Sequence, residues 1–153
     1  MTLVPIKSRD CIVDKFFYFS GMELLKINYK NLNSREKENY NYHKIASALA
    51  DYGYDCMRLN NDWQGADFIA VHNDGENMLK VQLKARFTVD KKYIGKDIKI
   101  GFVEDDVCYI YDHDNMVSNL AERTLNSKSW QENGLYSQMP VPKIYLQFIT
   151  ILN

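Results

Sequence analysis

Three polar side chains near the middle of the chain have types and a spacing suited to phosphate chemistry: Asp67, Gln82 and Lys84. In the run Met78–Arg86 apolar and polar residues alternate, so Gln82 and Lys84 would project from one face of a strand, about 7 Å apart. A carboxylate can hold Mg²⁺, which prefers oxygen ligands, and an ammonium group can offset negative charge that grows in a transition state. The set therefore predicts metal-assisted hydrolysis of a phosphodiester.

A β-hairpin would bring these side chains together. Asp67–His72 and Met78–Arg86 both have the pattern of strands, and the connection between them contains Asp74-Gly75, which is typical of a tight turn. Antiparallel pairing places Asp67, which opens the first strand, beside Gln82 and Lys84. The second strand would have an apolar face and a polar face, formed by Leu79, Val81, Leu83 and Ala85 and by Lys80, Gln82, Lys84 and Arg86.

An amphipathic helix should precede the hairpin. Asn33 can cap it, and Glu36 stands three residues later as the partner in a capping box. Apolar residues then recur at helical spacing until Gly53, which predicts a helix from about Ser34 to Tyr52. Glu38 lies on the same stripe near the start of this helix.

The remaining patterns predict an α/β fold with a mixed central β-sheet flanked by α-helices. The aromatic-rich run Cys11–Leu25 fits a helix or a strand equally well. We expect strands at Tyr54–Leu59, Ile98–Val103 and Val107–Tyr111, helices near Asn115–Leu125 and Ser127–Tyr136, and either a strand or a helix at Ile144–Leu152.

Two segments, Gly65–Val71 and Lys80–Lys84, resemble the motif of the PD-(D/E)XK nucleases. The resemblance covers about residues 34–111, and the predicted order of helix, strand, hairpin and strand is that of the family's core. It implies a restriction-endonuclease-like core in which Asp67 is the shared metal ligand, Gln82 occupies the (D/E) position and Lys84 is the motif lysine. It further implies that the main-chain carbonyl of Leu83 and the carboxylate of Glu38 bind the metal.

The chain departs from the family pattern at two positions. Ala66 stands where the motif name has proline, at a position that is loose in the family. Gln82 stands where the family has an acid, and its amide offers an oxygen to a metal but no charge. The site would then bind Mg²⁺ more weakly unless Glu38 compensates. Glutamine occurs at this position in active members, so the change alone does not imply loss of catalysis.

These observations predict a Mg²⁺-dependent endonuclease that acts on DNA, with Mn²⁺ as a substitute and a homodimer cutting both strands. Restriction, homing and repair enzymes all fit. One alternative is a nuclease-fold protein that has lost catalysis and binds nucleic acid or a protein partner. Another is a structural protein without a nucleic-acid role. We expect one domain over residues 1–153, with a core at 34–111 and accessory elements at 1–33 and 112–153.

Charge and composition limit the other possibilities. The net charge of −1 excludes a histone-like basic binder, yet seven basic residues against two acids lie between Asn77 and Lys99. Such a basic block can contact phosphates. No run approaches the roughly 18 apolar residues of a membrane helix, and the first residues have no apolar stretch typical of a signal peptide. Three widely spaced cysteines indicate reduced thiols in a cytoplasmic protein.

Overall fold

The computed structural model describes residues 24–152, which fall into two units divided after residue 31. The described part of the first unit contains a short 3-10 helix at Tyr29–Asn31. The second unit, from Leu32, contains the helices and strands discussed below. The run Cys11–Leu25 lies almost wholly outside the described residues. Between residues 24 and 152, no helix is long and apolar enough to cross a membrane.

Within the described residues, six strands form one mixed sheet, in the order β1 (Tyr54–Trp63), β2 (Ala66–His72), β3 (Met78–Leu83), β5 (Ile98–Glu104), β6 (Val107–Asp112) and β8 (Thr150–Leu152). Its neighbouring strands are antiparallel except for β3 and β5, which are parallel. The mixed α/β fold predicted from the sequence is therefore confirmed. A separate two-stranded sheet pairs β4 (Phe87–Asp90) with β7 (Leu135–Gln138).

The first helix of the second unit, α1 (Ser34–Ala50), covers one face of the large sheet. The predicted capping box is present: the Asn33 side chain accepts from the Glu36 amide, and the Glu36 carboxylate accepts from the Asn33 amide. Ile45 and Leu49 are buried against the sheet. A Cβ at Gly101 would stand 2.9 Å from Cδ1 of Ile45, so glycine lets the helix pack closely there.

The second core, on the other face, is built from short elements. These are α2 (His113–Ser118), α3 (Glu122–Leu125), α4 (Lys128–Asn133) and the 3-10 helices Lys91–Tyr93 and Lys143–Phe148. They pack around stacked aromatic rings, such as Phe87 on Tyr145 with centroids 5.3 Å apart. Aromatic rings bury large apolar areas, so their packing stabilises this layer.

The single helix predicted near Asn115–Leu125 was wrong, because two short helices occupy the segment. The chain leaves the helical path after α2, and the amide of Ala121 donates to the Tyr145 hydroxyl at 3.1 Å. The helix predicted for Ser127–Tyr136 does begin at a Ser127 cap but ends at Gly134, whose left-handed φ of 65° closes it. Strand β7 follows. At Ile144–Leu152 a 3-10 helix and then a strand are found.

The strand predicted for Met78–Arg86 was also too long. β3 ends at Leu83, although the Lys84 amide still donates to the Gly101 carbonyl at 2.9 Å. The Lys84 carbonyl accepts instead from Nδ2 of Asn41 on α1, at 3.1 Å, which turns the chain out of the sheet. Ala85 is consequently exposed rather than buried with Leu83.

Candidate functional site

The β2–β3 hairpin brings Asp67 and Gln82 into direct contact. Phe68 pairs with Val81, and at the next position Nε2 of Gln82 donates to Oδ2 of Asp67 at 2.6 Å. The amide of Leu83 donates to the same oxygen at 2.7 Å, and Nε2 of Gln82 also reaches the Leu83 carbonyl at 3.2 Å. The structure thus gathers three of the sequence-predicted site residues into one hydrogen-bonded cluster.

The cluster lies where the hairpin strands are well packed. Val81 and Leu83 are buried in the core beneath α1, so Gln82 between them faces the opposite side of the sheet. Asp67 and Gln82 are each half-buried. The carboxylate is therefore held rigidly and is partly shielded from water.

Burial raises the pKa of Asp67 above its usual value, and the nearby carboxylates of Glu38 and Asp62 raise it further. The Leu83 amide and the Lys84 ammonium act in the opposite direction, but the net shift is upward. A carboxylate whose ionised form is disfavoured in this way gains from a cation placed beside it.

Glu38 lies close enough to influence Asp67 electrostatically, but it is outside the hydrogen-bonded cluster. Its Oε1 accepts from Nη2 of Arg58 at 2.5 Å, and Arg58 also donates to the side chain of Asn39. The Glu38 side chain is 46% exposed. An exposed ion pair of this kind contributes about 1 kcal/mol or less, so breaking the pair between Glu38 and Arg58 would cost little.

Lys84 immediately follows the end of β3, and its charge reaches Asp67, whose pKa it lowers. Its Nζ donates to the hydroxyl of Tyr93 at 2.9 Å. Hydrogen bonds to Gly101 and from Asn41 fix its main chain. The sequence predicted that Lys84 lies near the site, but neither Asn41 nor Tyr93 was predicted to be its partner.

Two further residues shape the site and were missed by the sequence analysis. Asn41 is 1% exposed, and its Oδ1 has no hydrogen-bond partner. The sequence does contain a signal for this residue, because Asn41 is a polar residue on the apolar stripe of the helix, three residues after Glu38. Asp62 lies near the end of β1, where its Oδ1 accepts from the amide of Gly65 in the β1–β2 turn at 2.6 Å. The run Asn60-Asn61-Asp62 before this turn could have been noticed, because such residues favour turns.

The oxygens at the cluster fit a hard divalent cation. Asp67 supplies a carboxylate, Leu83 a main-chain carbonyl and Gln82 an amide oxygen, the ligand types that Mg²⁺ prefers. The Gln82 amino group faces Asp67 and Leu83 in this structure, so its oxygen would have to turn inward to bind a metal. Among residues 24–152, no group of three or more acidic, histidine or cysteine side chains could hold a metal ion. A metal ion at this cluster would therefore be held mainly by the neutral oxygens of Leu83 and Gln82, with Asp67 as the carboxylate.

Other residues considered from the sequence have ordinary surroundings. His72 pairs with Asp74 at 2.8 Å in the hairpin turn, and His113 is fully buried in the second core. Cys56 and Cys108 are free thiols. Trp63, the last residue of β1, is 48% exposed, so its ring can contact a partner.

No family model and no curated protein matches this chain. Among solved structures, it is similar to a bacterial homing endonuclease, I-Ssp6803I. The similarity has a TM-score of 0.43 and 13% sequence identity, and it covers 66% of this chain and 86% of that chain. A similarity of this degree carries no functional argument, so the function has to be argued from this chain's own side chains.

Proposed function

We propose that this chain is a metal-dependent endonuclease of the PD-(D/E)XK type that hydrolyses DNA phosphodiester bonds. The observation that carries the proposal is the cluster in which Asp67 Oδ2 accepts from both Gln82 and Leu83, with the Lys84 charge in range. The contact between Asp67 and Gln82 on one hairpin, with Lys84 directly after β3, supports this proposal.

The proposed cofactor is Mg²⁺, with Mn²⁺ as a substitute. Asp67, the Leu83 carbonyl and the Gln82 amide oxygen would hold it, and Glu38 would join them by giving up Arg58. The ion supplies polarisation of the phosphate and a lower pKa for a bound water. The raised pKa of Asp67 supports this assignment, because a divalent cation would offset the cost of its buried charge.

Lys84 is proposed to act on the phosphate rather than on the metal. Its ammonium has three N–H donors, of which the Tyr93 hydroxyl takes one. The others can donate to a phosphate oxygen or orient the attacking water. Such a donor stabilises the negative charge that develops in the transition state.

DNA is the proposed substrate because exposed lysines cluster close to Lys84 along the chain. Lys91, Lys92 and Lys96 are all exposed on the segment that follows β4. Phosphate contacts of this kind supply affinity without sequence information. Cleavage of both strands of a duplex would require a second copy of the chain, so a homodimer belongs to this proposal.

The decisive test is cleavage of plasmid DNA with Mg²⁺ or Mn²⁺ by wild type, Asp67→Ala and Lys84→Met. We expect Asp67→Ala to be inactive and Lys84→Met to lose about 10²–10³ in single-turnover rate, while metal-free DNA affinity changes little. Glu76→Ala, at the other end of the same hairpin, is the matched control and should cleave normally. Wild type without metal-dependent cleavage would refute the proposal.

A second candidate function is DNA binding without catalysis. The Gln82 amino group satisfies both Asp67 and Leu83 without any cation, which is the observation that favours it. In a binder, Lys84 would contribute to ground-state affinity instead of rate. Loss of DNA affinity in Lys84→Met, together with no cleavage by wild type, would favour this alternative.

A further inference from the structure

Tyr93 connects Lys84 to a part of the molecule that lies outside the cluster. It ends the 3-10 helix Lys91–Tyr93, which follows β4, and it is 4% exposed. Its hydroxyl accepts from Nζ of Lys84 at 2.9 Å. A side chain so deeply buried cannot reach a DNA phosphate, so any role in cleavage has to act through Lys84.

The ring of Tyr93 is held between two structural elements. A Cβ added at Gly65 would stand 2.8 Å and 2.9 Å from two ring carbons of Tyr93, and the φ of Gly65 is +91°. Only glycine fits there, two residues before Asp67. On another side His113 of α2 meets the ring edge-to-face, with centroids 5.6 Å apart. The turn that leads to Asp67 and the helix α2 therefore both determine where the hydroxyl lies.

The main chain around Tyr93 is anchored as firmly as its ring. Oδ1 of Asp90 accepts from the Lys92 amide at 3.0 Å, and the Asp90 amide donates to Nε2 of His113 at 3.2 Å. The Lys91 amide donates to the Gly134 carbonyl at 2.8 Å. These partners lie outside the cluster, so the hydroxyl is a fixed acceptor that does not need the hydrogen bonds among Asp67, Gln82 and Leu83.

A fixed acceptor matters because a lysine side chain is flexible. Its four-carbon stem loses rotamer freedom only where the ammonium is held, and a misplaced catalytic group loses much of its effect on rate. We propose that Tyr93 is the positioning residue for Lys84, holding its ammonium beside the cluster while two N–H donors stay available. This inference depends on the proposed nuclease function for its kinetic consequence but not for its structural one.

The kinetic test compares Tyr93→Phe with wild type in single-turnover cleavage of DNA with Mn²⁺. Phenylalanine keeps the ring contacts to Gly65 and His113 and removes the hydroxyl, which accepts from Lys84 and also interacts with the ammonium of Lys92. We expect the rate to fall about tenfold, with metal-free DNA affinity unchanged within about twofold. Tyr145→Phe is the matched control, since it also removes a buried hydroxyl, one bonded to Ala121 and Thr124. It should leave the rate unchanged.

A double-mutant cycle separates positioning from an independent effect. If Tyr93 acts through Lys84, adding Tyr93→Phe to Lys84→Met should cause no further loss of rate. An equal loss in both backgrounds would overturn the proposal, as would a normal rate in Tyr93→Phe alone.

A spectroscopic test does not require activity. The held ammonium of Lys84 should give a ¹H–¹⁵N signal protected from solvent exchange, identified by its absence in Lys84→Met. This signal should disappear in Tyr93→Phe and persist in Tyr145→Phe. Its persistence in Tyr93→Phe, or its absence from wild type, would overturn the positioning role. If wild type does not cleave DNA, the nuclease proposal fails, and this signal alone decides the role of Tyr93.

Discussion

Gln82 has its amide orientation imposed by its neighbours. The Asp67 carboxylate and the Leu83 carbonyl are both acceptors, so the amino group and not the oxygen must face them. A cation between the same oxygens would reverse that preference. The side chain can thus bond to the cluster in two ways. Its amino group can donate to the two oxygens, or its own oxygen can join them as a ligand of a cation.

Gln82→Glu removes the first of these two ways. Without metal, two carboxylates would face each other with no donor between them, so the variant should be less stable than wild type in EDTA. The added charge should strengthen the binding of Mn²⁺ by about tenfold or more, which corresponds to about 1.4 kcal/mol of binding free energy for each factor of ten. Thermal unfolding across a Mn²⁺ titration measures both effects. Gln82→Ala that cleaves as well as wild type would show that Gln82 is not a ligand.

Asp67→Asn should stabilise the metal-free protein. Burial raises the Asp67 pKa above 3.8 in the folded state, so wild type loses stability as the pH rises through that raised pKa. Asparagine carries no such charge and can still accept from Gln82 and Leu83. Urea unfolding in EDTA should therefore find the variant more stable at pH 7, with the difference shrinking as the medium is acidified. A variant that is less stable at every pH would contradict the burial argument.

The cluster residues were accessible from the sequence, but their environment was not. Strand alternation and the Asp74-Gly75 turn are local signals, and they suffice to pair Asp67 with Gln82. Lys84 was assigned to the same strand by continuing the alternation, whereas its position comes from Asn41 and Tyr93. Neither contact leaves a local signal, because the partners belong to a helix and a loop distant in sequence.

At the level of elements, the predicted ranges agree best with the structure where the sequence has strong signals for the ends of a helix or strand. Helix α1 has a capping box and a terminating glycine, and its predicted range of Ser34 to Tyr52 exceeds the observed one by only two residues at the end. The strands β4 and β7 have four residues each and were not predicted. They are stabilised by the aromatic core around Phe87 rather than by local propensity, and such tertiary effects override short patterns.

The helix α2 contributes a buried histidine whose protonation should destabilise the fold. Burial lowers the pKa of His113, although Asp90, Asp112 and Asp114 partly oppose the shift. Its Nε2 accepts from the Asp90 amide and must be unprotonated to do so. Because the unfolded chain binds a proton near pH 6.5 and the folded one only at lower pH, stability is retained above about 6.5 and lost as the pH falls below it.

His113→Gln can keep an acceptor for the Asp90 amide without titrating. We expect the variant to lose about 1–3 kcal/mol at pH 7 from poorer packing but to depend less on pH between 5 and 7 than wild type. Denaturant unfolding at several pH values checks this. His43→Gln, a substitution on the exposed side of α1, is the control and should keep the wild-type pH dependence. If stability changes equally with pH in wild type and in His113→Gln, His113 is not the group responsible for the pH dependence.

For the molecule as a whole, the distribution of charge predicts how the proposed binding to DNA should depend on salt. The net charge is −1, yet Lys91, Lys92 and Lys96 are exposed on the segment that follows β4, close to Lys84 along the chain. Association should therefore weaken with salt, with a slope that counts a small number of phosphate contacts. A uniformly acidic surface would show no such dependence.

Lys96→Gln tests one of these contacts. Removal of a single phosphate contact should reduce the salt slope of DNA binding by about one and weaken affinity equally for different sequences. Lys128→Gln is the control, because Lys128 lies on α4 and is paired with Glu132 at 4.0 Å, outside the basic block. DNA affinity measured between roughly 50 and 200 mM salt gives the slope and distinguishes the two variants. Equal slopes for Lys96→Gln and wild type would exclude Lys96 from the contact surface.

The short strand β4 lies between Lys84 and Tyr93, and it carries Phe87 and Val89, both 0% exposed. The segment that joins Lys84 to Tyr93 is thus anchored in the hydrophobic core, and we expect it to open only when that core unfolds. The buried Thr88 amide, which donates to the Tyr111 hydroxyl, should exchange with deuterium only through global unfolding. Loss of the proposed nuclease activity on heating and loss of structure should then coincide, and Phe87→Leu should lower both midpoints by the same amount. The protein would show no inactive but still folded state on warming.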